Sequence, residues 1–420
     1  MSDTAAISPD ELGDLLASEE GFSVLDVRDR DEYEEWRIEG PGVTSKQVPH
    51  VKFLQAQVNG DPTEHVEGLA EPIVVVCGRG AASGEVAEQL RKHGVDARNL
   101  ADGMAGWARV YRIRELGPSL SAADTDSSQQ PAIAAADTTD SGSGAVTDAA
   151  VDATNDAVTV LQCDRPASGC LAHVVISGDE AVVIDPLRSF ADQYADIVAD
   201  HGAALTGVVD THVHADHVSG LRAVAETTGA AQYLPSGAVD RGLDFEASLL
   251  SDGDSIAVGD HELRAVHAPG HTSEMTALRL STADRELLFG GDLLLQHSVA
   301  RPDLEAGAEG TRELARDLQA TLRNRIFALP AETLVLPGHR AVGERPDVGD
   351  IFGVNVGDAR ERITVEADPD AFADRILSNL PERPTNYDEI VETNLGRKEL
   401  DESAAFEVEL GPNNCAASGN

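Results

Sequence analysis

The sequence predicts an α/β protein of two domains, and three observations lead to this fold class. At 420 residues the chain is too long for one ordinary hydrophobic core. Apolar runs of strand length alternate with helical patterns in both halves. The stretch between Arg114 and Arg165 contains no Lys or Arg and consists mostly of Ala, Asp, Ser and Thr, so we expect an acidic, flexible linker over residues 116–156.

The first domain, residues 1–115, opens with a helix that has a clear start signal. In "SPDELGDLLA", Ser8 is the expected N-cap, Pro9 takes the first helical position and Glu11 completes a capping box. The runs "FSVLDV" and "EPIVVVC" predict buried strands, and "SGEVAEQLRKHG" predicts an amphipathic helix that ends at Gly94. Strands that alternate with helices in this way indicate a parallel sheet.

The second domain interleaves strands and helices over residues 157–396. Strands are predicted at "AVTVLQCD", "LAHVVIS", "EAVVID", "TGVVDT", "HELRAVHA", "MTALRLS", "RELLFG" and "TLVLP". Helices are predicted near residues 189–201, from about Val218, and around 312–327. Every cluster of His and Asp follows the end of a strand, which is where open α/β sheets place their ligands.

Composition excludes several classes of protein. The 32 Lys and Arg against 74 Asp and Glu give a net charge of −42, so a basic face for nucleic acid is not expected. The four cysteines are too few for a disulfide scaffold, and we expect Cys163 and Cys170 to pack in the core and Cys415 to have no role. The N-terminus lacks the pattern of a signal peptide, and no apolar run has membrane-spanning length. We therefore expect a soluble cytoplasmic protein with no membrane partner.

The acidic residues are spread along the whole chain, which has only four lysines. This composition is typical of proteins from salt-loving cytoplasms. The alternative is an acidic docking surface for a basic partner. We expect the midpoint of thermal unfolding to rise steadily up to molar salt. The reason is that the distance over which charges repel each other falls to about 3 Å only near 1 M salt. Calorimetry over a salt series measures this midpoint. A midpoint that does not respond to salt would favour the docking surface.

The stretch "DTHVHADH", residues 210–217, has the residues of a metal site. His212 and His214, two positions apart in an extended segment, are expected to point the same way, and Asp216 and His217 could face a neighbouring site. Three more ligand-type residues follow strands, in "HAPGHTSEM", "FGGDLLL" and "VLPGHR": His271, Asp292 and His339. Their glycine neighbours allow the backbone to approach the site closely. These ligands suit both a hydrolase with two zinc ions and an oxygenase with one iron.

The motifs "THVHADH", "PGHT", "GGD" and "PGH", in this order, resemble the metallo-β-lactamase superfamily over residues 157–345. The resemblance implies an αββα sandwich with metals at the sheet edges. Two further segments resemble its persulfide dioxygenase branch: "GGDLLLQHSVARPDL", with Ala300 where that branch usually has Gly, and "AFADRILSNLPERPTNYDEIVETNLG". The second segment extends the resemblance to about residue 396 and leaves residues 397–420 as a C-terminal tail.

That branch implies one Fe(II) per chain, held by His212, His271 and Asp292. Two His and one carboxylate leave three open positions, which suits Fe(II) and O2. The other ligand-type residues would orient ligands, bind water or substrate, or hold a second metal: His214, Asp216, His217 and His339. The alternative is the glyoxalase II-like arrangement with Zn(II) at the same positions. Arg301 would hold a substrate carboxylate or sulfur oxyanion, or would form an ion pair with Asp303.

Cys77 lies at a strand end in "VVVCGRGAASGEVAEQL", before a loop of small residues and a helix. Backbone N–H groups of such a loop and the helix N-terminus lower a thiol pKa. With "SVLDVRDRDEYEEWRIEG" and "NLADGMAGW", the segment resembles a rhodanese domain over residues 5–112, which implies helices on both faces of the sheet and Cys77 as the sulfur carrier. The charged residue that usually closes the loop near Ala82 is missing, and Arg79 could replace it. The alternative for Cys77 is a buried packing residue.

Together the two resemblances imply oxidation of a low-molecular-weight thiol persulfide by O2 to sulfite and thiol, coupled to a sulfurtransferase. The implied partners are the persulfide, O2, and sulfite or thiosulfate, and a homodimer is compatible with this scheme. The alternatives are a glyoxalase II-like thioester hydrolase with two zinc ions and a non-enzymatic module for sulfur delivery.

Overall fold

The computed structural model describes residues 5–18, 20–117, 158–305, 308–341 and 343–411. Of the predicted linker, residues 118–156 lie outside these ranges, as does Cys415. Among the described residues, no helix combines the length and the apolar character needed to span a bilayer.

The first domain has a parallel sheet of five strands in the spatial order β1-β5-β4-β2-β3. Its strands are β1 (Ala6–Ile7), β2 (Phe22–Asp26), β3 (Val43–Gln47), β4 (Ile73–Val76) and β5 (Ala97–Leu100). Its helices are α1 (Pro9–Ala17), α2 (Arg30–Glu35), α3 (His50–Asn59), α4 (Ala81–Lys92) and α5 (Gly103–Trp107). Leu12 and Trp107 pack on one face of the sheet, and Phe53 and Leu90 on the other. Helices therefore cover both faces, as predicted.

The second domain is built on two mixed sheets, of seven and six strands. The larger sheet has the order β12-β11-β10-β9-β8-β7-β6 and consists of β6 (Arg112–Glu115), β7 (Val158–Arg165), β8 (Cys170–Ser177), β9 (Glu180–Ile184), β10 (Ala204–Val209), β11 (Ala231–Pro235) and β12 (Ser248–Leu250). The smaller sheet follows chain order and consists of β13 (Ser255–Val258), β14 (His261–His267), β15 (Thr276–Ser281), β16 (Glu286–Gly291), β17 (Leu334–Pro337) and β18 (Val354–Asn355). The helices are α6 (Ala191–Asp200), α7 (Leu221–Thr228), α8 (Ala308–Thr321), α9 (Val356–Arg362), α10 (Pro369–Ser378), α11 (Tyr387–Asn394) and α12 (Glu402–Val408).

Alternation along the strands packs the two sheets against each other and against helices. In β8, Val174 faces the cluster formed with α6 and α7, and its neighbour Val175 faces the second sheet. On the far side of the second sheet, Leu318 of α8 and Phe372 of α10 share one core. The layers are thus helix, sheet, sheet, helix, which confirms the predicted αββα sandwich.

Local signals in the sequence correctly predicted several element ends. The Ser8 hydroxyl accepts from the Glu11 N–H at 3.1 Å, and the Glu11 carboxylate accepts from the Ser8 N–H at 2.8 Å, so the capping box is present. Gly94, just after α4, has a φ of +84°. The helix expected from about Val218 begins only at Leu221, because residues 210–219 form an irregular loop.

Two segments differ from the predicted domain limits. β6, inside the predicted first domain, pairs antiparallel with β7 and so extends the sheet of the second. Four residues, of which three are charged and one is apolar, carried too little signal to assign them to either sheet. Residues 397–411, expected to be part of a tail, include the helix α12. The other predicted limits, at residues 156 and 396, stay predictions.

Candidate metal centre and cysteine loop

The histidine cluster lies in the buried loop of residues 210–219, directly after β10. Among the described residues, three groups of side chains could each hold a metal ion, with ligand atoms within 4.8 Å of one another. The first group is His212, His271 and Asp292; the second is Cys170, Asp216, His217 and His339; the third is Asp185, Asp210 and His214. Seven of these ten residues are ligand candidates predicted from the sequence.

The first group has three buried polar atoms that face one another without a hydrogen-bond partner: His212 Nε2, His271 Nε2 and Asp292 Oδ2. Asp292 Oδ2 lies 3.9 Å from His212 Nε2 and 3.7 Å from His271 Nε2. Leaving buried polar atoms unsatisfied is costly, and three at one point need a common partner. A single metal ion fits this donor set of two imidazoles and one carboxylate.

The outer atoms of the same three residues are all held by the protein. His212 Nδ1 lies 3.0 Å from Thr211 Oγ1, and His271 Nδ1 donates to the Arg301 carbonyl at 2.7 Å. His339 Nδ1 bonds Asp292 Oδ1. Such outer contacts fix the orientation of a metal-binding side chain. The group is therefore preorganised, with only its inner atoms available to an ion.

Burial and charge keep the first group in the protonation state that binds metal. Burial holds the pKa of His212 well below its usual range and lowers the pKa of His271. Burial alone would raise the pKa of Asp292, but the neighbouring His339 outweighs it and the net shift is downward. Two neutral imidazoles and one carboxylate are the forms that coordinate a cation.

The second group is a hydrogen-bonded network around Asp216. Its Oδ2 lies 2.8 Å from His339 Nε2, its Oδ1 lies 3.2 Å from His217 Nδ1, and the Cys170 thiol donates to Oδ2 at 3.4 Å. Burial lowers the pKa of His339, but the carboxylates of Asp292 and Asp216 outweigh burial and hold it well above its usual range. His339 thus lies between two carboxylates and links the first group to the second.

His214 does not face the same point as His212, contrary to the expectation from their spacing. Its Nε2 lies 3.2 Å from Asp185 Oδ1 and 3.8 Å from Asp210 Oδ1, in the third group. The loop bends after Thr211, so the alternation of an extended strand does not apply there. Asp185, which follows β9, holds the bend by accepting the Thr211 N–H at 2.7 Å.

Glycines allow the strand ends to meet at the first group, as predicted. Gly291, with a φ of +48°, lies where a Cβ would overlap the side chain of Thr211. A Cβ at Gly338 would lie 2.8 Å from Asp292 Oδ1. Any larger residue would displace the side chain of Thr211 or of Asp292, respectively.

Several residues that position the loop were not identified from the sequence. Glu274 accepts the Val213 N–H at 2.9 Å, and Asn394 Nδ2 donates to the carbonyls of His214 and His217 at 3.0 and 2.9 Å. Cys170, expected only to pack, also donates to Asp216. These residues are far from the cluster in sequence, and no motif connects them to it. Only the three-dimensional structure reveals them.

Arg301 contacts the first group through its backbone. Its guanidinium forms an ion pair with Asp303 at 2.8 Å and donates to the carbonyls of Pro381 and Glu382 at 2.9 Å. Its own carbonyl accepts from His271. Of the two interpretations of Arg301, this geometry corresponds to the ion pair, and the direct contact with a substrate stays a prediction.

Cys77 follows β4 and lies at the start of the loop that leads into α4. Its sulfur accepts from the Gly80 N–H at 3.1 Å and from the Ser83 hydroxyl at 3.2 Å. Burial raises the pKa of Cys77, but the bonds from Ser83, Arg79 and Gly80 outweigh it, and the net shift is downward. A thiol with a lowered pKa is a better nucleophile at neutral pH than an ordinary one.

The residues around Cys77 differ from expectation at one point. Arg79, the predicted replacement for the missing loop charge, is exposed, and its Nη2 lies 3.1 Å from Glu407 of α12. The positive potential at the sulfur therefore comes mainly from backbone and hydroxyl donors. Asp26 and Arg28 form an ion pair at 2.6 Å next to the sheet.

Comparison with known proteins agrees with both domains. The sequence model of the rhodanese-like domain family matches residues 8–110 of the chain. The sequence model of the metallo-beta-lactamase superfamily matches residues 165–339. A metallo-beta-lactamase from Staphylococcus aureus aligns with a TM-score of 0.50 at 23% identity, over 59% of this chain and 74% of its own, and so shares the fold. A further similar structure is ETHE1 from Myxococcus xanthus, at 27% identity and a TM-score of 0.48, over 56% of this chain and 98% of its own.

The human mitochondrial persulfide dioxygenase ETHE1 is 32% identical over 161 residues, which are 38% of this chain. The match spans 59% of the length of the human protein. Residues 8–110 of the chain are a rhodanese-like domain, and residues 165–339 are a domain of the metallo-β-lactamase superfamily related to that of the persulfide dioxygenases.

Proposed function

We propose that the chain is a persulfide dioxygenase with one Fe(II), joined to a sulfurtransferase domain. The observation that carries this proposal is the convergence of three unsatisfied buried atoms, from His212, His271 and Asp292. Two imidazoles and one carboxylate are the donor set that suits iron and O2. The similarity of this domain to the human persulfide dioxygenase supports the same activity.

The hydrogen bonds of the second group favour one metal over two. Both carboxylate oxygens of Asp216 are engaged, by His339, His217 and Cys170. A second ion at this point would have to replace these bonds. We therefore assign the second group to holding Asp292 through His339, and the third group to holding the loop.

The reaction needs orientation more than acid–base chemistry from the protein. Bound Fe(II) would supply electrons to O2 and bring it together with the terminal sulfur of the persulfide. The bond from His271 to the Arg301 carbonyl and the bond from His339 to Asp292 would hold these two ligands in fixed orientations. Each turnover consumes one persulfide, one O2 and one water, and gives one thiol and one sulfite.

The first domain would carry sulfane sulfur on Cys77. Its lowered pKa favours the thiolate, which attacks the outer sulfur of thiosulfate, forms a cysteine persulfide and releases sulfite. A small thiol then takes the sulfur and becomes the persulfide that the second domain oxidises. Gly80 and Ser83 donate to the sulfur of the free cysteine and would stabilise the negative charge of its thiolate.

One observation favours the alternative, a thioester hydrolase with two zinc ions. The second group also offers thiol, carboxylate and imidazole atoms within 4.8 Å of one another, and His217 Nε2 there is buried without a hydrogen-bond partner. Zinc accepts all three ligand types. In such an enzyme a metal-bound hydroxide attacks the carbonyl of the thioester.

Product analysis distinguishes the two activities. We expect the protein, purified without oxygen, to consume O2 and release sulfite in equal amounts when glutathione persulfide is added. S-lactoylglutathione, a thioester, is expected to remain intact under the same conditions. Rapid thioester hydrolysis with no O2 uptake on the persulfide would contradict the proposal.

A further inference from the structure

The C-terminal helix α12 lies between the two domains. Phe406 of this helix is 8% exposed and packs in the core of the first domain with Ile7 and Trp107. The guanidinium of Arg109 lies over the Phe406 ring, 3.6 Å from its centre. A segment that follows the second domain in sequence is therefore built into the core of the first.

A buried ion pair joins this segment to both domains at one point. Arg165, the last residue of β7, and Glu409, just after α12, have side chains that are 1% and 2% exposed, and they pair at 2.7 Å. Arg165 Nε also donates to the carbonyl of Ala108 in the first domain, at 2.8 Å. A buried pair of this kind is stable only while both charges are present.

The same carboxylate holds the loop of the metal centre. One oxygen of Glu409 accepts from Arg165, and the other accepts the N–H of Val218 at 2.9 Å. Val218 directly follows His217. Asn394 of α11 holds the neighbouring backbone, because its side chain accepts the Ser219 N–H at 2.8 Å. The C-terminal segment thus forms hydrogen bonds with the backbone of the loop that carries His212, His214 and His217.

The other end of the contact reaches the cysteine loop. Glu407 of α12 pairs with Arg79, two residues after Cys77. A cleft of about 480 Å³ opens beside this pair, and it is lined by the first domain and by residues 403–411. Its walls include Trp36, Gly78, Arg79, Met104, Phe406 and Leu410. The helix is therefore one wall of the approach to the loop that carries Cys77.

We propose that residues 402–411 are a latch that makes the two domains one unit, and that Glu409 is its main positioning residue for the metal centre. The latch goes beyond the proposed reaction, because it acts whichever metal the first group binds. It also differs from two domains joined only by a flexible linker. Glu409 holds the histidine loop, Arg165 and the first domain together, and Glu407 adds an exposed contact to the cysteine loop.

The test compares Glu409→Ala with Glu407→Ala, the same change in the exposed pair. Full-length chain, freed of metal by a chelator, is titrated with Co²⁺, and its thermal unfolding is followed by calorimetry. We expect Glu409→Ala to weaken Co²⁺ binding about tenfold, the lower end of what loss of a direct partner of a metal ligand costs, because the loop that carries His212 loses a backbone contact. It should also separate the unfolding of the two domains. Glu407→Ala should leave Co²⁺ affinity and cooperative unfolding unchanged.

The double variant Arg165→Met with Glu409→Leu separates positioning from stability. Replacing a buried ion pair by apolar residues restores packing, so we expect its unfolding midpoint to return toward that of the unaltered chain. Its Co²⁺ affinity should stay low, because the Val218 N–H still lacks its acceptor. If affinity recovers with the midpoint, or if Glu409→Ala binds Co²⁺ as tightly as the unaltered chain, Glu409 does not position the metal centre and the proposal is wrong.

Discussion

Replacing Asp292 by alanine is expected to remove the metal from the protein. Asp292 supplies the single carboxylate of the first group, and its pKa is lowered so that it is ionised at neutral pH. Removing a residue that only holds a metal ligand in place weakens metal binding about 10–100-fold. Removing the ligand itself should therefore weaken binding at least about 100-fold. Metal content by mass spectrometry and O2 uptake on a persulfide should fall together.

Two further variants control this experiment. Asp260→Ala makes the same change in an exposed turn and should keep full metal content and activity. Asp292→Asn keeps the shape of the side chain and a partner for His339 but removes the negative charge. It should therefore fold normally and still bind metal poorly. Full metal in Asp292→Ala would show that the first group is not the binding site.

Replacing Cys77 by serine is expected to abolish sulfur transfer from thiosulfate to a thiol while O2 uptake on free persulfide persists. Cys77 and the first group lie in different domains. Replacing the sulfur of Cys77 by oxygen should leave the contacts of the latch, residues 402–411, in place. Transfer is measured by the sulfite released from thiosulfate, and oxidation by an oxygen electrode. Cys415→Ser, the same substitution at a cysteine assigned no role, should change neither rate.

A second variant tests how Cys77 is activated. Ser83→Ala removes a hydroxyl that donates to the sulfur, so the pKa of Cys77 should rise. The pH profile of sulfur transfer should then move to higher pH, with most of the activity kept at alkaline pH. Loss of persulfide oxidation in Cys77→Ser would mean that the two sites form one active centre. Intact sulfur transfer in that variant would make Cys77 a packing residue.

The family that the motifs resemble predicted the fold and the three residues that the structure brings together in the first group. The members of this group are far apart in the sequence. His212 follows β10, His271 follows β14 and Asp292 follows β16, and the three strand ends meet at one edge of the sandwich. Glycines such as Gly338 mark the close approaches. These features are encoded in short segments, so a single sequence contains them.

Side-chain directions in the loop and contacts between domains could not be predicted in this way. The spacing of His212 and His214 suggests a common ion, but the bend held by Asp185 turns His214 elsewhere. No sequence pattern around Glu409 indicates its role, because its partners Arg165 and Val218 lie about 190 residues or more away in the chain. Such contacts depend on how distant elements pack and not on local sequence.

Metal analysis of the protein purified without oxygen, combined with O2 uptake, tests the proposed function most directly. One metal is expected because the first group has three unsatisfied atoms while Asp216 is fully engaged. The account predicts about one Fe per chain and O2 consumption on addition of a thiol persulfide. Two tightly bound zinc ions per chain, with no O2 uptake on the persulfide, would contradict it.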